Sequence, residues 1–212
     1  MKERTFWDTF HSNYQMGPAK HRLYLLRRMK ELGVKSFLDT GCGTGPLYEL
    51  NKEMAVDLGF PGFFTYKGTD YSWAMIEQAQ EHFPDGDFEV QDARKLTEKD
   101  GSWDCAVSMH CLDHLNDHKA AIAELARVSR KYVIIILWRP FVGVDRINDR
   151  NMMNKNEGEK PWEDTFLHEY TREDLVTEFE KNGLTIIEEL NDERINDPGK
   201  YNWMVVLEKH DK

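Results

Sequence analysis

The chain of 212 residues has three cysteines, Cys42, Cys105 and Cys111, with no Cys-x-x-Cys spacing. An odd, scattered set argues against a disulfide framework and a zinc site, and fits a reducing compartment such as the cytoplasm. No block of Lys or Arg occurs, and the formal net charge is -10. Neither a nucleic acid nor a membrane surface is therefore an expected partner. The opening stretch, Met1-Lys2-Glu3-Arg4-Thr5-Phe6-Trp7-Asp8, lacks the apolar core of a signal peptide. The longest apolar run, Tyr132 to Trp138, is too short to cross a bilayer and reads as a buried strand. There is no internal repeat, low-complexity tract or linker, so one domain over residues 1–212 is expected. No metal site is expected.

What is present is an alternation of strand and helix signals. Leu25, Met29 and Leu32 share a helical face that ends at Gly33, so residues 1–33 read as an N-terminal helical cap. Lys35 to Thr40 reads as a first strand. Pro46 suits the first position of a helix carrying Leu47, Leu50, Met54 and Leu58. Phe64 to Thr69 is a second strand, and Ser72 can cap a helix with Met75, Ile76, Ala79 and Phe83 on its apolar face. Phe88 to Gln91 and Trp103 to Met109 read as further strands. A helix follows between Asp117 and Ser129, and Tyr132 to Leu137 has the composition of a central strand covered on both faces. Residues 139–170 show no clear periodicity, which is the pattern of a lid, a binding loop or a short irregular helix. Thr171-Arg172-Glu173-Asp174 resembles a capping box before a helix that closes at Asn182-Gly183. Leu184 to Leu190 and Trp203 to Glu208 are two last strands. Their polar, Pro- and Gly-broken link predicts antiparallel pairing. The alternation as a whole predicts a parallel α/β sheet.

The chemistry begins at Phe37-Leu38-Asp39-Thr40-Gly41-Cys42-Gly43-Thr44-Gly45. Glycines at alternate positions between a strand and a helix let the backbone take unusual angles and let a ligand approach it closely. A tight turn with no ligand is the plainer reading. Asp70 ends the second strand at the same sheet edge, where a carboxylate can accept hydrogen bonds from both hydroxyls of a ribose. Read otherwise, it caps the next helix, although Ser72 is better placed for that. Asp92 ends the third strand and can meet an adenine amino group, or else serve as a turn aspartate. Ligands of open α/β sheets lie at the carboxyl ends of strands, so the three segments support one another.

Together these segments are similar to those of class I S-adenosylmethionine-dependent methyltransferases. Leu38 to Gly45 resembles the family's first motif, Gly68-Thr69-Asp70-Tyr71-Ser72 its ribose segment, and Gln91-Asp92-Ala93 its adenine segment. Trp103-Asp104 through His110-Cys111-Leu112-Asp113-His114-Leu115 resembles the fourth-strand motif of its small-molecule members. The resemblance implies a three-layer Rossmann-like sandwich with a seven-stranded, mostly parallel sheet and an antiparallel last strand. It implies that Gly41, Cys42, Gly43 and Gly45 face the methionine part of S-adenosyl-L-methionine. Asp39 would orient that loop and Asp70 hold the ribose. Tyr71 would lie beside the ribose, Asp92 would meet the adenine amino group, and Met75 or Ala93 would lie against the ring. Ser108 would offer its carbonyl to the cofactor's amino group. The product would be S-adenosyl-L-homocysteine. No Asn/Asp-Pro-Pro-Tyr/Phe segment follows the fourth strand, which disfavours protein or nucleic-acid methylation and points to a small-molecule acceptor.

Two other functions stay open on sequence alone. One is an NAD(P)-dependent oxidoreductase, which would want Gly-x-Gly-x-x-Gly. The other is a non-catalytic S-adenosylmethionine-binding module. On the acceptor side, His110 and His114 are candidate bases, along with Asp113, and the plainer reading of His114 is a packing or capping residue. Tyr14 belongs to an aromatic group before the first helix, with Phe6, Trp7 and Phe10. Trp138, Phe141, Trp162 and Phe166 flank the irregular segment. Tyr14, Trp138 and His168 are the acceptor-binding candidates. The chain is expected to act as a monomer or homodimer.

Overall fold

Strand β5 (Ser129–Leu137) shows why this chain builds three layers. Successive side chains of a strand point to opposite faces. Ile134 and Ile136 enter one core cluster, while Val133, Ile135 and Leu137 enter another. A strand apolar on both faces must be covered on both, and helices supply the cover. In the computed structural model the described residues are 19–57, 64–115, 117–138, 146–149, 166–197, 199 and 202–210.

The other main strands are β1 (Ser36–Thr40), β2 (Thr65–Asp70), β3 (Phe88–Val90), β4 (Trp103–Met109), β8 (Leu184–Leu190) and β9 (Trp203–Lys209). They form a seven-stranded sheet in the order β3-β2-β1-β4-β5-β9-β8. Pairing is parallel from β3 to β5, and β9 runs antiparallel to both β5 and β8. Helices α1 (Lys20–Glu31), α2 (Pro46–Asp57) and α3 (Trp73–His82) send Leu25, Met29, Leu47, Leu50, Ile76 and Ala79 into the first cluster. Helices α4 (His118–Val128) and α5 (Arg172–Lys181) send Ile122, Leu125, Leu175 and Phe179 into the second. The fold expected from the sequence is the one observed.

Local signals set the boundaries. Ser72, Asp117 and Thr171 accept from the backbone N–H groups of Met75, Ala120 and Asp174, satisfying donors that the first helical turn leaves unpaired. Gly33 and Gly183 follow α1 and α5 with φ of 73° and 72°, the left-handed geometry that ends a helix. Two segments depart from the predicted alternation. Residues 91–102, between β3 and β4, form turns without a helix. Gln91 Oε1 accepts from Thr97 N–H and Glu124 accepts from Leu96 N–H, so side chains satisfy the backbone that a helix would have paired. Within 139–170, read from sequence as irregular, β6 (Arg146–Asp149) pairs antiparallel with β7 (Phe166–Glu169).

Parallel register brings the functional strand ends to one edge. Thr40 lies opposite Thr69 on one side and Ser108 on the other, and Asp70 lies opposite Val90. Gly41, Tyr71, Gln91 and Met109 therefore emerge together from the sheet.

Candidate functional site

The turn after β1 is folded by its glycines. Gly41, Gly43 and Gly45 have φ of 73°, 57° and 86°, where a side chain is strained. Their surroundings differ. A Cβ on Gly41 would lie 2.5 Å from Cys111 Cβ, and one on Gly45 would lie 2.9 Å from the Phe88 ring. Beside Gly43 there is nothing within 4 Å. Gly41 and Gly45 thus pack the turn down, and Gly43 presents bare backbone to open space. Cys42 is buried behind the turn, and burial, with Asp70 and Asp39 nearby, pushes its thiol pKa up. It is a packing side chain of the cradle. Gly41 and Cys42 both donate their N–H to Thr69 O, tying the turn to β2.

Asp70 stands beside this opening. One carboxylate oxygen accepts from Gly43 N–H at 2.9 Å, and the other accepts from Ser72 N–H at 2.9 Å. A carboxylate offers two oxygens, each an acceptor only, as a diol reader requires. Tyr71 is half-buried next to it, with the Arg94 guanidinium 5.8 Å from its ring centroid. Arg94 also grips Asp92 with Nε and Nη2, each at 2.9 Å, and its backbone N–H adds a third bond at 2.9 Å. Burial opposes the Asp92 charge, but the Arg94 bonds outweigh it and hold the carboxyl pKa below its usual range. Asp92 is therefore an ionised, acceptor-only group, the right polarity for an amino group. Ala93 is half-buried against the second core cluster, and Met75 is buried on α3. Ser108 is buried at the end of β4 beside the Cys111 thiol.

Asp39 is the fully buried carboxyl of the site. Its Oδ2 accepts from Tyr66 Oη–H at 3.1 Å, while Oδ1 is buried with no hydrogen-bond partner among the described residues. Burial raises its pKa to about 7, with Asp70 adding to the rise and Tyr66 and Arg22 opposing it. An orphan acceptor of this kind fits a cationic donor such as an amino group. Because the folded pKa lies above the ordinary carboxylate value, folding favours the protonated form. The favourable term is fully present at about pH 4 and is lost as pH rises to about 7, at a cost of a few kcal/mol. Asp39→Asn keeps an acceptor for Tyr66 and removes the titration. Urea unfolding of the ligand-free protein should give a variant-minus-wild-type stability difference that grows from pH 4 to pH 7 in favour of asparagine. A difference that stays flat over that range would contradict the assignment.

On the acceptor side, His110 follows β4 with φ of 55°, rare for a residue with a side chain and typical of strained functional positions. It is half-buried. Its ring lies 4.7 Å from that of Trp138 and 5.1 Å from that of His21, and Nε2 is 2.9 Å from Asn202 Oδ1. Burial, with His21, Arg22 and His114 as competing cationic neighbours, lowers its pKa well below the usual imidazole value, against the pull of Asn202. His110 is thus neutral at ordinary pH. Trp138 is exposed, so the pair forms a reachable aromatic wall. His114 lies in the short 3₁₀ turn Leu112–His114, where its backbone N–H bonds Cys111 O. His168 is buried in β7, stacked on Tyr170 at 4.2 Å and edge-on to His118 at 4.7 Å. It joins a cluster other than that of His110. Tyr14 lies outside the described residues, as do Phe6, Trp7, Phe10, Phe141 and Trp162.

Sequence reasoning missed His21, Asn202, Asn196 and Arg94. The Asp92–Arg94 spacing was a usable local signal for Arg94. Nothing local marks Asn202, which reaches His110 across 92 positions of sequence. Among the described residues, no group of three or more His, Cys, Asp or Glu is placed to hold a metal ion, and no helix is long and apolar enough to cross a membrane.

The comparisons agree with this geometry. Residues 11–189 match a family model described as a methyltransferase domain, and the chain belongs to that family. It is similar to the ubiquinone/menaquinone biosynthesis C-methyltransferase UbiE of Campylobacter jejuni, 29% identical over 115 residues, covering 54% of this chain and 46% of that protein. It is also similar to the demethylmenaquinone methyltransferase of Thermotoga maritima, 30% identical over 120 residues, covering 56% and 50%. The chain thus spans about half the length of these curated relatives. In fold it resembles magnesium protoporphyrin IX methyltransferase from Synechocystis, solved with bound S-adenosylmethionine. The TM-score is 0.65 at 17% identity, over 99% of this chain and 98% of that one. Family membership and the reversed β9 set aside the nicotinamide reading. The open face of Gly43, the carboxylate of Asp70 beside it and the orphan oxygen of Asp39 fit S-adenosylmethionine.

Proposed function

We propose that this chain transfers a methyl group from S-adenosyl-L-methionine to an oxygen, nitrogen or carbon of a small molecule. One observation carries the reading. The only glycine of the turn with open space at its Cβ position is flanked by Asp70, and Asp39 behind it keeps a buried oxygen unused. When bound, the cofactor supplies a sulfonium-activated methyl carbon whose bond to sulfur breaks with its electron pair leaving on sulfur.

The residues do the rest. Asp70 accepts from the ribose hydroxyls, and Asp92, kept ionised by Arg94, accepts from the adenine amino group. Asp39 answers the amino group of the methionine part, with the Ser108 carbonyl beside it. Tyr71, Met75 and Ala93 line the nucleoside. His110 and Trp138 lie at the mouth beyond β4, where the acceptor enters. Positioning and water exclusion supply much of the acceleration, and a base is needed where the acceptor carries a proton. His110 is that base. His114 is a packing residue of the 3₁₀ turn beyond β4, and His168 belongs to the separate cluster with His118 and Tyr170. The lid is 139–170. The chain works in the cytoplasm as a monomer or homodimer, in keeping with its three free cysteines.

The test is a screen of phenols, amines and carboxylic acids with methyl-labelled cofactor. With an accepted phenol or amine, His110→Gln should lower kcat by about 10²-fold or more while S-adenosylhomocysteine binding holds. Unchanged turnover for every accepted compound would remove His110 from the role. No turnover with any compound, beside intact cofactor binding, would favour a binding module.

A further inference from the structure

We infer that Asn202, locked by Asn196, is a positioning residue that fixes His110 as its Nε2–H tautomer and so makes Nδ1 the nitrogen that takes the acceptor's proton. The inference rests on the reading of His110 as base, and its test is separate from the test of that reading.

The assignment follows from bonds that cannot be reversed. Oxygen and nitrogen of an amide side chain are told apart by their partners. Asn196 Nδ2 lies 3.0 Å from Asn191 O and 3.1 Å from Asn202 O, both backbone carbonyls that only accept. Asn196 Oδ1 lies 2.6 Å from the backbone N–H of Asn202, which only donates. Asn196 is therefore fixed in one orientation. Its Oδ1 also meets an amide atom of Asn202 at 3.0 Å, and that atom must be the donor Nδ2. Asn202 Oδ1 then faces His110 Nε2 at 2.9 Å, and an acceptor oxygen there demands a hydrogen on Nε2. The lone pair of the neutral ring is left on Nδ1. No hydrogen bond of Nδ1 occurs among the described residues.

The same amide orients a second imidazole. Asn202 Nδ2 lies 3.4 Å from His21 Nδ1, so His21 Nδ1 accepts and its hydrogen sits on Nε2. Protonating His21 at Nδ1 would set N–H against N–H. Burial and Arg22 also hold His21 neutral, against Asp197. The charged and titratable groups facing His110 are His21 and Arg22 from α1 and His114 from the 3₁₀ turn. Asn196 and Asn202 are buried, so water does not compete for their bonds. The left-handed backbone at His110 and the asparagine relay act on one ring from two sides. As the acceptor's oxygen or nitrogen bonds to carbon, its proton passes to Nδ1. The imidazolium so formed keeps its Nε2–H bond to Asn202, then returns the proton to solvent.

The experiment needs no acceptor. Long-range proton–nitrogen NMR on protein labelled with ¹⁵N-histidine separates protonated from unprotonated ring nitrogens, with His110 and His21 assigned by signals lost in His110→Gln and His21→Gln. At pH 7.5 the full chain should show both residues protonated on Nε2 alone. Asn202→Ala should turn the His110 signals into a tautomer mixture, while calorimetry finds its S-adenosylhomocysteine affinity within threefold of wild type. Asn202→Asp should raise the pH at which His110 gains charge by about one to two units, since the ring then faces an anion. Nδ1 protonation of His110 in the wild type overturns the inference, as does an unaltered spectrum in Asn202→Ala. Should Asn202→Ala fail to fold, the wild-type spectrum and Asn202→Asp still decide. Loss of the base role in the His110→Gln turnover assay would leave these spectra unchanged, so the two readings fail independently.

Discussion

Asp70→Ala is expected to weaken S-adenosylhomocysteine binding by about 10²-fold or more, measured by calorimetry. Two charge-assisted bonds to a ribose are worth about 1.5–3 kcal/mol each, and ~1.4 kcal/mol is a tenfold change in affinity. The loss extends beyond the ribose. The same carboxylate holds Gly43 N–H and Ser72 N–H, so its removal also loosens the open part of the turn and the entry to α3. Asp70→Asn should lose less, because one carbonyl oxygen remains to accept. A fall below threefold in Asp70→Ala would contradict the ribose role, and NADH binding in place of the nucleoside would contradict the whole cofactor assignment.

The second large effect separates two glycines of one turn. Gly41→Ala should destabilise the fold by about 3 kcal/mol or more, summing a strained φ with overpacking. Its new methyl would fall 2.5 Å from Cys111 Cβ, which is carried on backbone rather than on a flexible tip. For a chain of this size that is a drop in Tm of about 6–12 °C. Cys111→Ala removes the Sγ contact at 2.7 Å but keeps the closer Cβ, so it should restore less than Cys111→Gly. Gly43→Ala meets no neighbour, so only its φ of 57° opposes folding. There Tm should fall by a few degrees while the affinity for S-adenosylhomocysteine drops at least tenfold. Equal Tm losses in the two variants would show that both glycines serve packing alone.

Those contrasts mark how far the sequence could be read. The strand ends at Thr40, Asp70 and Met109 were legible because periodicity, caps and glycine turns are local signals, and parallel pairing turns them into one edge. The cofactor-facing carboxylates were legible for the same reason. The division of labour among Gly41, Gly43 and Gly45 was not, since it depends on Cys111, from the turn after β4, and on Phe88, from β3. Arg94 was within reach of a local reading, two residues from Asp92. The acceptor side was least legible. His110 was visible as a residue type after β4, but its partners come from α1 and from the link before β9, and no spacing rule joins His21, His110 and Asn202. His168 illustrates the converse. It stands in the segment read from sequence as irregular, and packing against Tyr170 and His118 gives it other company.

The order β5-β9-β8 has a consequence for how the protein is made. Strand β9 is the last of the described strands to leave the ribosome, yet it inserts between two that precede it. Until it arrives, β5 shows a bare hydrogen-bonding edge along Tyr132 to Leu137, the most aliphatic stretch of the sheet. Such an edge is a template for pairing with another nascent chain. The aggregation hazard therefore lasts until Trp203–Lys209 has emerged, and chains cut short before Trp203 would keep that edge uncovered.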